Sequence, residues 1–221
     1  MDFDFSVITD HWQFLASGVG VTLALAALSG ATSIAAGLAL ALLRLYGPRW
    51  LKPVVVFYID SMRAIPVLVV LVWMFFALPL VAGITMAPFF AALLGLTVHL
   101  APYAAEIFRA GIESVRPGQT RASLALGMSP AQIVRRIVLP QAVVRMLPAF
   151  GSFLSITIKD TEIASVIAVP ELMRQSETVQ GQSFQPIEVY TFAMLVYFVI
   201  LFPVTRGVER IYRRLAHLGR S

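Results

Sequence analysis

The sequence predicts an all-α membrane protein with about five transmembrane helices. Hydrophobic residues make up 58% of its 221 residues and charged residues only 13%. Soluble domains average about 45–50% apolar and about 25% charged residues, so this chain is too apolar for that class. It also contains five apolar stretches that are long enough to cross a bilayer, which takes about 20 residues in a helix.

The five stretches differ in how they are interrupted. They cover residues 14–43, 54–81, 87–108, 142–169 and 189–204. The first is rich in alanine, leucine and glycine, and the fifth is close to the shortest length that spans a bilayer. The second contains Asp60, Arg63 and Pro66, and we expect a kink at the proline. The third contains His99 and Pro102.

The basic residues indicate how the chain crosses the membrane. Fourteen lie in or beside the loops after the first, third and fifth stretches, and only Arg174 lies between the fourth and fifth. The N-terminal segment is acidic, with Asp2, Asp4 and Asp10. Because basic loops remain in the cytoplasm, five crossings place the N-terminus outside and the C-terminus in the cytoplasm. This bias also explains the net charge of +5 without a nucleic-acid partner.

Several catalytic and metal-binding classes are excluded by composition and motif. The absence of cysteine excludes disulfides, thiolate metal sites and a cysteine nucleophile. The three histidines, His11, His99 and His217, are far apart in sequence, so we expect no histidine metal site. There is neither a phosphate-binding loop nor a nucleophile elbow.

The basic segment 109–145, between the third and fourth stretches, is too long for a plain turn. Residues 120–126 predict a short helix that ends at Gly127, because glycine is typical just after a helix C-terminus. The segment therefore has structure of its own.

A second short helix is predicted to begin at Ser129. Ser129 and Gln132 have the spacing of a capping box, and Pro130 occupies the first helical position. Leu139-Pro140 is expected to end this helix.

The second short helix has an apolar side and basic edges. Ile133, Ile137 and Val138 form the apolar side, and Arg135 and Arg136 lie elsewhere. Such a helix suits docking into a groove on another protein. It equally suits an amphipathic helix lying on anionic lipid. The residues alone leave both alternatives open.

This segment resembles a known motif. GQTRASLALGMS at 118–129, followed by IVLPQA at 137–142, resembles the EAA loop of ABC-importer permeases, in particular those of the polar amino-acid uptake group. The similarity continues in RAIP at 63–66, YAAEIFRAGI at 103–112, KDT at 159–161 and VPEL at 169–172. Arg121 and Ser123 replace the glutamate and the second alanine of the motif. Glu162 and Ala64-Ile65 replace the commoner serine and Gly-Thr, and these changes bear on the substrate.

The resemblance implies a type I importer permease, with one transmembrane domain over 1–221 and a coupling loop at about 110–141. Two permeases, alike or different, would form the pathway in the bacterial cytoplasmic (inner) membrane. A separate ATPase dimer would bind ATP and Mg and dock on the coupling loops, and an extracytoplasmic solute-binding protein would deliver the substrate. The chain itself would hold no cofactor or metal and would not be an enzyme. The residues implied to contact the ATPase are Arg121, Ala122, Ser123, Ala125, Leu126, Gly127, Met128, Ser129, Leu139 and Pro140.

Three charges in the fourth stretch, Lys159, Asp160 and Glu162, point to a substrate pathway. A lysine or aspartate at the centre of a lipid-facing helix costs roughly 2.5–3.5 kcal/mol, so these charges should face protein, water or one another. Helical spacing gives a polar stripe of Ser152, Ser155, Lys159 and Glu162. Asp160 points off this stripe. The stripe either holds a zwitterionic substrate, or Lys159 pairs with Glu162 while Asp160 anchors another helix.

A second polar face lies in the third stretch and consists of His99, Tyr103 and Glu106. Glu106 is expected to pair with Arg109 rather than to contact substrate. His99 either lines the pathway or packs with a hydrogen bond. Arg63 suits a substrate carboxylate, or it pairs with Asp60. The predicted pathway residues are Arg63, His99, Tyr103, Ser155, Lys159, Asp160, Thr161 and Glu162.

Two other classes compete with the permease interpretation. A self-contained secondary transporter would use His99 and the carboxylates as a proton relay. Five helices without an inverted repeat, together with an elaborate docking loop, argue against it. An intramembrane enzyme or assembly scaffold lacks support, because the sequence shows no nucleophile–base pair or metal-ligand set.

Overall fold

The computed structural model describes residues 4–216, so Asp2, His217 and Arg220 lie outside the described residues. Within that range the chain is helical and contains no strand. The helices are α1 Ser6–Asp10, α2 Trp12–Tyr46, α3 Leu51–Ala64, α4 Val67–Val72, α5 Leu78–Ala82, α6 Pro88–Glu113, α7 Pro117–Ala125, α8 Pro130–Ile133, α9 Leu139–Asp160, α10 Leu172–Ser183 and α11 Pro186–Leu215. The π-helical turns Trp73–Ala77 and Val134–Val138 join α4 to α5 and α8 to α9, and a 3₁₀ helix follows α9 at Thr161–Ile167.

Four helical segments in the described chain are long and apolar enough to cross a membrane. They are α2, α6, the run Pro130–Ile167 and α11. Helix α3 and the segment Val67–Ala82 make a fifth span if this pair, bent by 106°, is counted as one. The all-helical prediction is therefore confirmed, with four to five spans. Helix α11 is longer than the predicted stretch 189–204, because charged residues continue the same helix beyond its apolar part.

Pro66 divides the second span, as predicted. Helix α3 ends at Ala64, and Ile65 and Pro66 both have extended ψ angles, of 132° and 137°. The residue before a proline is sterically pushed out of the helical region, which accounts for the break. The bend brings Arg63 against α6, where the Tyr103 hydroxyl donates to the Arg63 carbonyl oxygen at 3.3 Å.

The prediction that Leu139-Pro140 ends the second loop helix was wrong. The helix runs on from Pro130 to Ile167 through the π-helical turn Val134–Val138. In a regular α-helix a proline ring clashes with the carbonyl four residues earlier. The wider π turn lies directly before Pro140 and accommodates the ring. The coupling loop is therefore continuous with a spanning helix.

Helices α2 and α6 form the most extensive contact in the bundle, and glycine permits their close approach. A Cβ at Gly37 would lie 2.6 Å from the Ala104 Cβ and 2.8 Å from the Ala101 carbonyl oxygen. Small residues are the usual means by which spanning helices pack this closely. The main apolar cluster joins α2, α4, α6, α9 and the 3₁₀ helix and includes Leu25, Leu71, Leu96, Leu100, Ala104, Phe153 and Ile167.

Helix α10 lies at the end of the bundle opposite the coupling loop and begins at a buried carboxylate. Glu171 accepts the backbone N–H groups of Met173 and Arg174 at 2.8 and 2.7 Å, and the Tyr197 hydroxyl at 3.3 Å. Burial raises the pKa of the Glu171 carboxyl to about 7, although the hydrogen bonds act to lower it. These three hydrogen bonds satisfy a carboxyl group that is buried without an ion pair among the described residues.

Candidate functional site

A cavity of about 930 Å³ lies between α6 and α9 and reaches the break between α3 and α4. Most of its lining is apolar, with a few polar groups, as is usual for small-molecule sites. The polar lining residues are Arg63, His99, Tyr103, Glu106, Ser114, Arg145, Ser152 and Asp160.

Helical spacing explains why these residues share one cavity. The lining residues of α6 recur every three or four positions, at His99, Tyr103, Glu106 and Ala110, and Ser114 follows just beyond the helix end. Those of α9 do the same, at Arg145, Ala149, Ser152, Ile156 and Asp160. Residues at this spacing share a helix face. From His99 to Ser114 the face extends over roughly 22 Å, at 1.5 Å per residue.

Arg63, His99 and Tyr103 form a cluster at one end of this cavity. The guanidinium carbon of Arg63 lies 5.6 Å from the centroid of the Tyr103 ring, and the His99 ring centroid lies 5.4 Å from it. His99 is only 6% exposed, and its Nδ1 has no hydrogen-bond partner among the described residues. No ion pair joins Arg63 to Asp60 in the described chain, so the guanidinium is available to a ligand carboxylate.

Further along α6, near the middle of the cavity lining, two arginines hold Glu106. Arg109 donates to the Glu106 carboxylate at 3.0 and 2.7 Å, and Arg44 of α2 pairs with the same carboxylate. Arg109 also reaches Glu113. The predicted pairing of Glu106 with Arg109 is confirmed. The network neutralises Glu106 and joins α2 to α6 at the end nearest the coupling loop.

A second cavity, of about 610 Å³, lies between α9 and α11. Ser155 and Lys159 line this one, and Ser152 lines both cavities. The two helices approach closely beside it, since a Cβ at Gly151 would lie 2.8 Å from the Val208 side chain. The predicted pathway residues are thus divided between two cavities.

Glu162 and Thr161 line neither of these cavities. Helix α9 ends at Asp160, so both residues lie in the following 3₁₀ helix. Glu162 is exposed, and the Thr161 hydroxyl is buried and donates to the Ile158 carbonyl oxygen at 2.8 Å. Lys159 and Glu162 form no ion pair within residues 4–216. Asp160, which lies off the polar stripe by helical spacing, lines the larger cavity together with Arg63 and Glu106.

The sequence prediction missed Arg145 as a cavity residue. The charge pattern groups Arg145 with the basic loop, but Arg145 lies inside α9 and donates to the carbonyl oxygen of Ser114. Its spacing from Ser152 and Asp160 on one helix face is the signal that identifies it, and the predicted stretch 142–169 already includes position 145.

The first helix of the coupling loop ends at Gly127, as predicted. Gly127 has φ +77° and donates its N–H to the Leu124 carbonyl oxygen at 2.9 Å, while Met128 donates to that of Ser123 at 3.1 Å. These are the two bonds of a Schellman motif, which requires the left-handed conformation that glycine adopts readily. The turn is therefore a defined structure.

The predicted capping box at Ser129 is also confirmed. The Ser129 hydroxyl accepts the Gln132 N–H at 3.3 Å, and the Gln132 side chain accepts the Ser129 N–H at 2.9 Å. Among the residues predicted to contact an ATPase, Ser123 is buried and donates to the Gln119 carbonyl oxygen, and Met128 is half-buried. The others are exposed, namely Arg121, Ala122, Ala125, Leu126, Gly127, Ser129, Leu139 and Pro140.

Comparison with known proteins identifies close relatives of similar length. The chain is 32% identical over 216 residues to the glutamine transport system permease protein GlnP of Escherichia coli (strain K12), covering 97% of this chain and 99% of that one. It is 35% identical over 204 residues to the L-cystine transport system permease protein TcyL of Bacillus subtilis (strain 168), covering 90% and 85% of the two chains.

Solved structures agree with this result. A crystal structure of an amino acid ABC transporter with histidines matches with a TM-score of 0.89 and 32% identity, covering 97% of this chain and all of that one. An inward-facing structure of the MetNI methionine ABC transporter shares the fold, with a TM-score of 0.79 and 24% identity. Residues 33–217 match the family described as binding-protein-dependent transport system inner membrane component. The chain therefore belongs to this family of ABC-importer permeases, which are inner-membrane proteins.

Proposed function

We propose that this chain is the permease subunit of an ATP-driven importer of polar amino acids or related zwitterions. The main supporting observation is the lining of the larger cavity, which includes the opposite charges of Arg63 and Asp160 and also His99, whose Nδ1 has no hydrogen-bond partner among the described residues. A zwitterion has a carboxylate and an ammonium group that match these charges. The relatives named for glutamine and L-cystine support a polar amino acid as the substrate.

The proposed importer also needs an ATPase, a second permease and a solute-binding protein. The sequence has no phosphate-binding loop, which supports a role as conduit rather than enzyme, with ATP and Mg bound by a separate ATPase dimer on the coupling loop. Within residues 4–216, the larger cavity is lined by α6, α9 and the break between α3 and α4, which supports a second permease that completes the pathway. An extracytoplasmic solute-binding protein delivers the substrate. Residues 1–221 act as one transmembrane domain.

The proposed orientation places the N-terminus outside and the coupling loop and C-terminus in the cytoplasm. The chain has no cysteine, so single-cysteine variants give unambiguous labelling. We expect a membrane-impermeant maleimide to label Ile84→Cys, but not Leu126→Cys, in intact spheroplasts. Both positions are exposed. Labelling of Leu126→Cys before lysis would contradict the orientation.

We expect Gly127→Ala to reduce ATP-driven uptake about tenfold, because alanine at φ +77° carries a strain of roughly 1–2 kcal/mol in the turn of the coupling loop. The measurement is uptake of labelled glutamine, arginine and cystine by proteoliposomes that hold the permease with its ATPase and binding protein. Wild-type vesicles should accumulate at least one of these amino acids only when ATP is supplied to the ATPase.

Gly83→Ala is the matched control for this experiment. Gly83 has φ +68°, and a Cβ at either glycine would meet nothing within 4 Å, so the two changes impose similar backbone strain. Gly83 lies outside the coupling loop, and its variant should transport like the wild type. Equal losses of ATP-driven uptake in the two variants would contradict a coupling role for Gly127. Uptake driven by a proton gradient without any ATPase would instead support the secondary transporter.

A further inference from the structure

The coupling loop and the start of α9 carry positive charge without any acidic residue of their own. From position 114 to position 158 the chain contains five arginines and no aspartate or glutamate. Arg145 of this set belongs to the larger cavity. The other four lie on the loop itself, at Arg116, Arg121, Arg135 and Arg136. The loop therefore has a local charge of +4.

This charge is not neutralised within the structure. All four loop arginines are exposed, and none forms an ion pair with the residues that the structure describes. Some exposed arginines of α10 and α11 do form ion pairs. Arg174 pairs with Glu177 at 3.5 Å, and Arg213 pairs with Glu209 at 2.6 Å. The charges of the loop arginines are therefore available to interact with groups outside this chain.

Large apolar side chains lie among these arginines. Leu126 is 82% exposed and Leu124 is 52% exposed, at the Schellman turn that ends α7. Arg121 lies three residues before Leu124, so the two side chains are neighbours on the helix surface. Exposed apolar groups beside charged ones are the usual composition of a protein-docking surface, with an apolar centre and a polar rim.

The arrangement favours a protein groove over a lipid surface. A helix that lies on a membrane separates its polar and apolar residues onto opposite faces. Helix α7 shows no such separation, and its exposed leucines occur at its C-terminal end and in the turn beyond it. The exposed apolar groups are therefore concentrated at one turn beside Arg121, which suits a groove on a protein better than a flat lipid surface.

We propose that the coupling loop docks into a groove of the ATPase subunit that has an acidic rim, and that Arg121 selects this partner by pairing with a carboxylate there. This inference rests on the proposed function, since the ATPase subunit supplies the groove. It adds two points to that function: the partner surface is acidic, and Arg121 is the residue that recognises it. A groove that suits glutamate at this position would repel Arg121. This permease should therefore bind poorly to ATPases whose grooves are adapted to loops with glutamate at this position.

The test measures the affinity of the ATPase subunit, purified from the wild-type complex, for the permease held in nanodiscs of zwitterionic phosphatidylcholine. We expect wild-type affinity to fall steeply between 50 and 500 mM KCl, because salt screens the charge pairs. Arg121→Glu should raise Kd at least about tenfold at low salt, and Arg121→Lys should remain within about threefold of the wild type. Replacing a carboxylate on the groove rim by arginine should restore binding to Arg121→Glu.

Arg49→Glu is the matched control, because Arg49 is also exposed and unpaired in the described chain and lies in the loop after α2. It makes the same charge change and should leave Kd unchanged. Equal effects of the two variants, or wild-type affinity for Arg121→Glu, would overturn the acidic groove. An effect of Arg121→Glu confined to nanodiscs with anionic phosphatidylglycerol would assign the arginines to lipid and also overturn it. If no ATPase accompanies the wild-type permease during purification, the permease function itself fails.

Discussion

Gly37→Ala is expected to lower the melting temperature of the purified protein by about 10 °C. The new Cβ would lie 2.6 Å from the Ala104 Cβ, 2.8 Å from the Ala101 carbonyl oxygen and 2.9 Å from the Ala105 nitrogen. Two of these three atoms belong to the α6 backbone, which cannot rotate away as a flexible side chain does. Separating α2 from α6 should cost about 3 kcal/mol, which corresponds to ~10 °C for a chain of this size.

Gly20→Ala provides the control on the same helix. A Cβ at Gly20 would meet nothing within 4 Å. Alanine is favoured over glycine in a helix by about 1 kcal/mol, so this variant should be as stable as the wild type or slightly more stable. Thermal unfolding in detergent, followed through the fluorescence of the three tryptophans, measures both variants. Equal melting temperatures for Gly37→Ala and Gly20→Ala would show that the helices are not in tight contact at Gly37.

Asp160→Asn is expected to reduce substrate uptake at least about tenfold, mainly through a higher KM. Asp160 and Glu106 are the two carboxylates in the lining of the larger cavity, and Arg44 and Arg109 neutralise Glu106. Asp160 forms no ion pair within the described chain, so it is the carboxylate available to a substrate ammonium group. Losing a charge-assisted hydrogen bond costs roughly 1.5–3 kcal/mol, which is about tenfold or more in affinity.

Glu162→Gln makes the same chemical change two residues away. Glu162 is exposed and lines neither cavity described here, so this variant should transport like the wild type. ATP-driven uptake over a range of substrate concentrations separates KM from the maximal rate, and retention of the ATPase checks assembly. A loss of uptake in Glu162→Gln with normal uptake in Asp160→Asn would reverse the two assignments and restore the polar stripe that helical spacing predicts.

The local features of the fold could be predicted from sequence, because their causes are local. The break at Pro66 follows from the steric effect of proline on the residue before it. The turn at Gly127 and the capping box at Ser129 need only a few neighbouring residues. Composition and length were sufficient for the spanning helices, since the bilayer imposes both.

The face that each α9 residue presents could not be predicted in the same way. In the sequence, Pro140 indicates the end of a helix, yet the π turn before it lets the helix continue. Nothing in the local sequence pattern predicts a π turn. The division of Ser155 and Asp160 between two cavities depends on where α6 and α11 pack against α9. The pairing of Glu106 with Arg44 could not be predicted either, because the two residues are 62 positions apart in sequence.

A tilt of the continuous helix Pro130–Ile167 as one body would move its two ends in opposite directions. The natural pivot for such a tilt is Gly151, where α9 lies closest to Val208 of α11. The arm from Gly151 to Pro130 is roughly 32 Å long and the arm to Asp160 roughly 14 Å, at 1.5 Å per residue. A rigid tilt that displaces the coupling-loop end by about 5 Å thus swings Asp160 by about 2 Å in the opposite direction. Such a stroke is comparable to one hydrogen-bond length, enough to make or break a contact between Asp160 and a bound substrate.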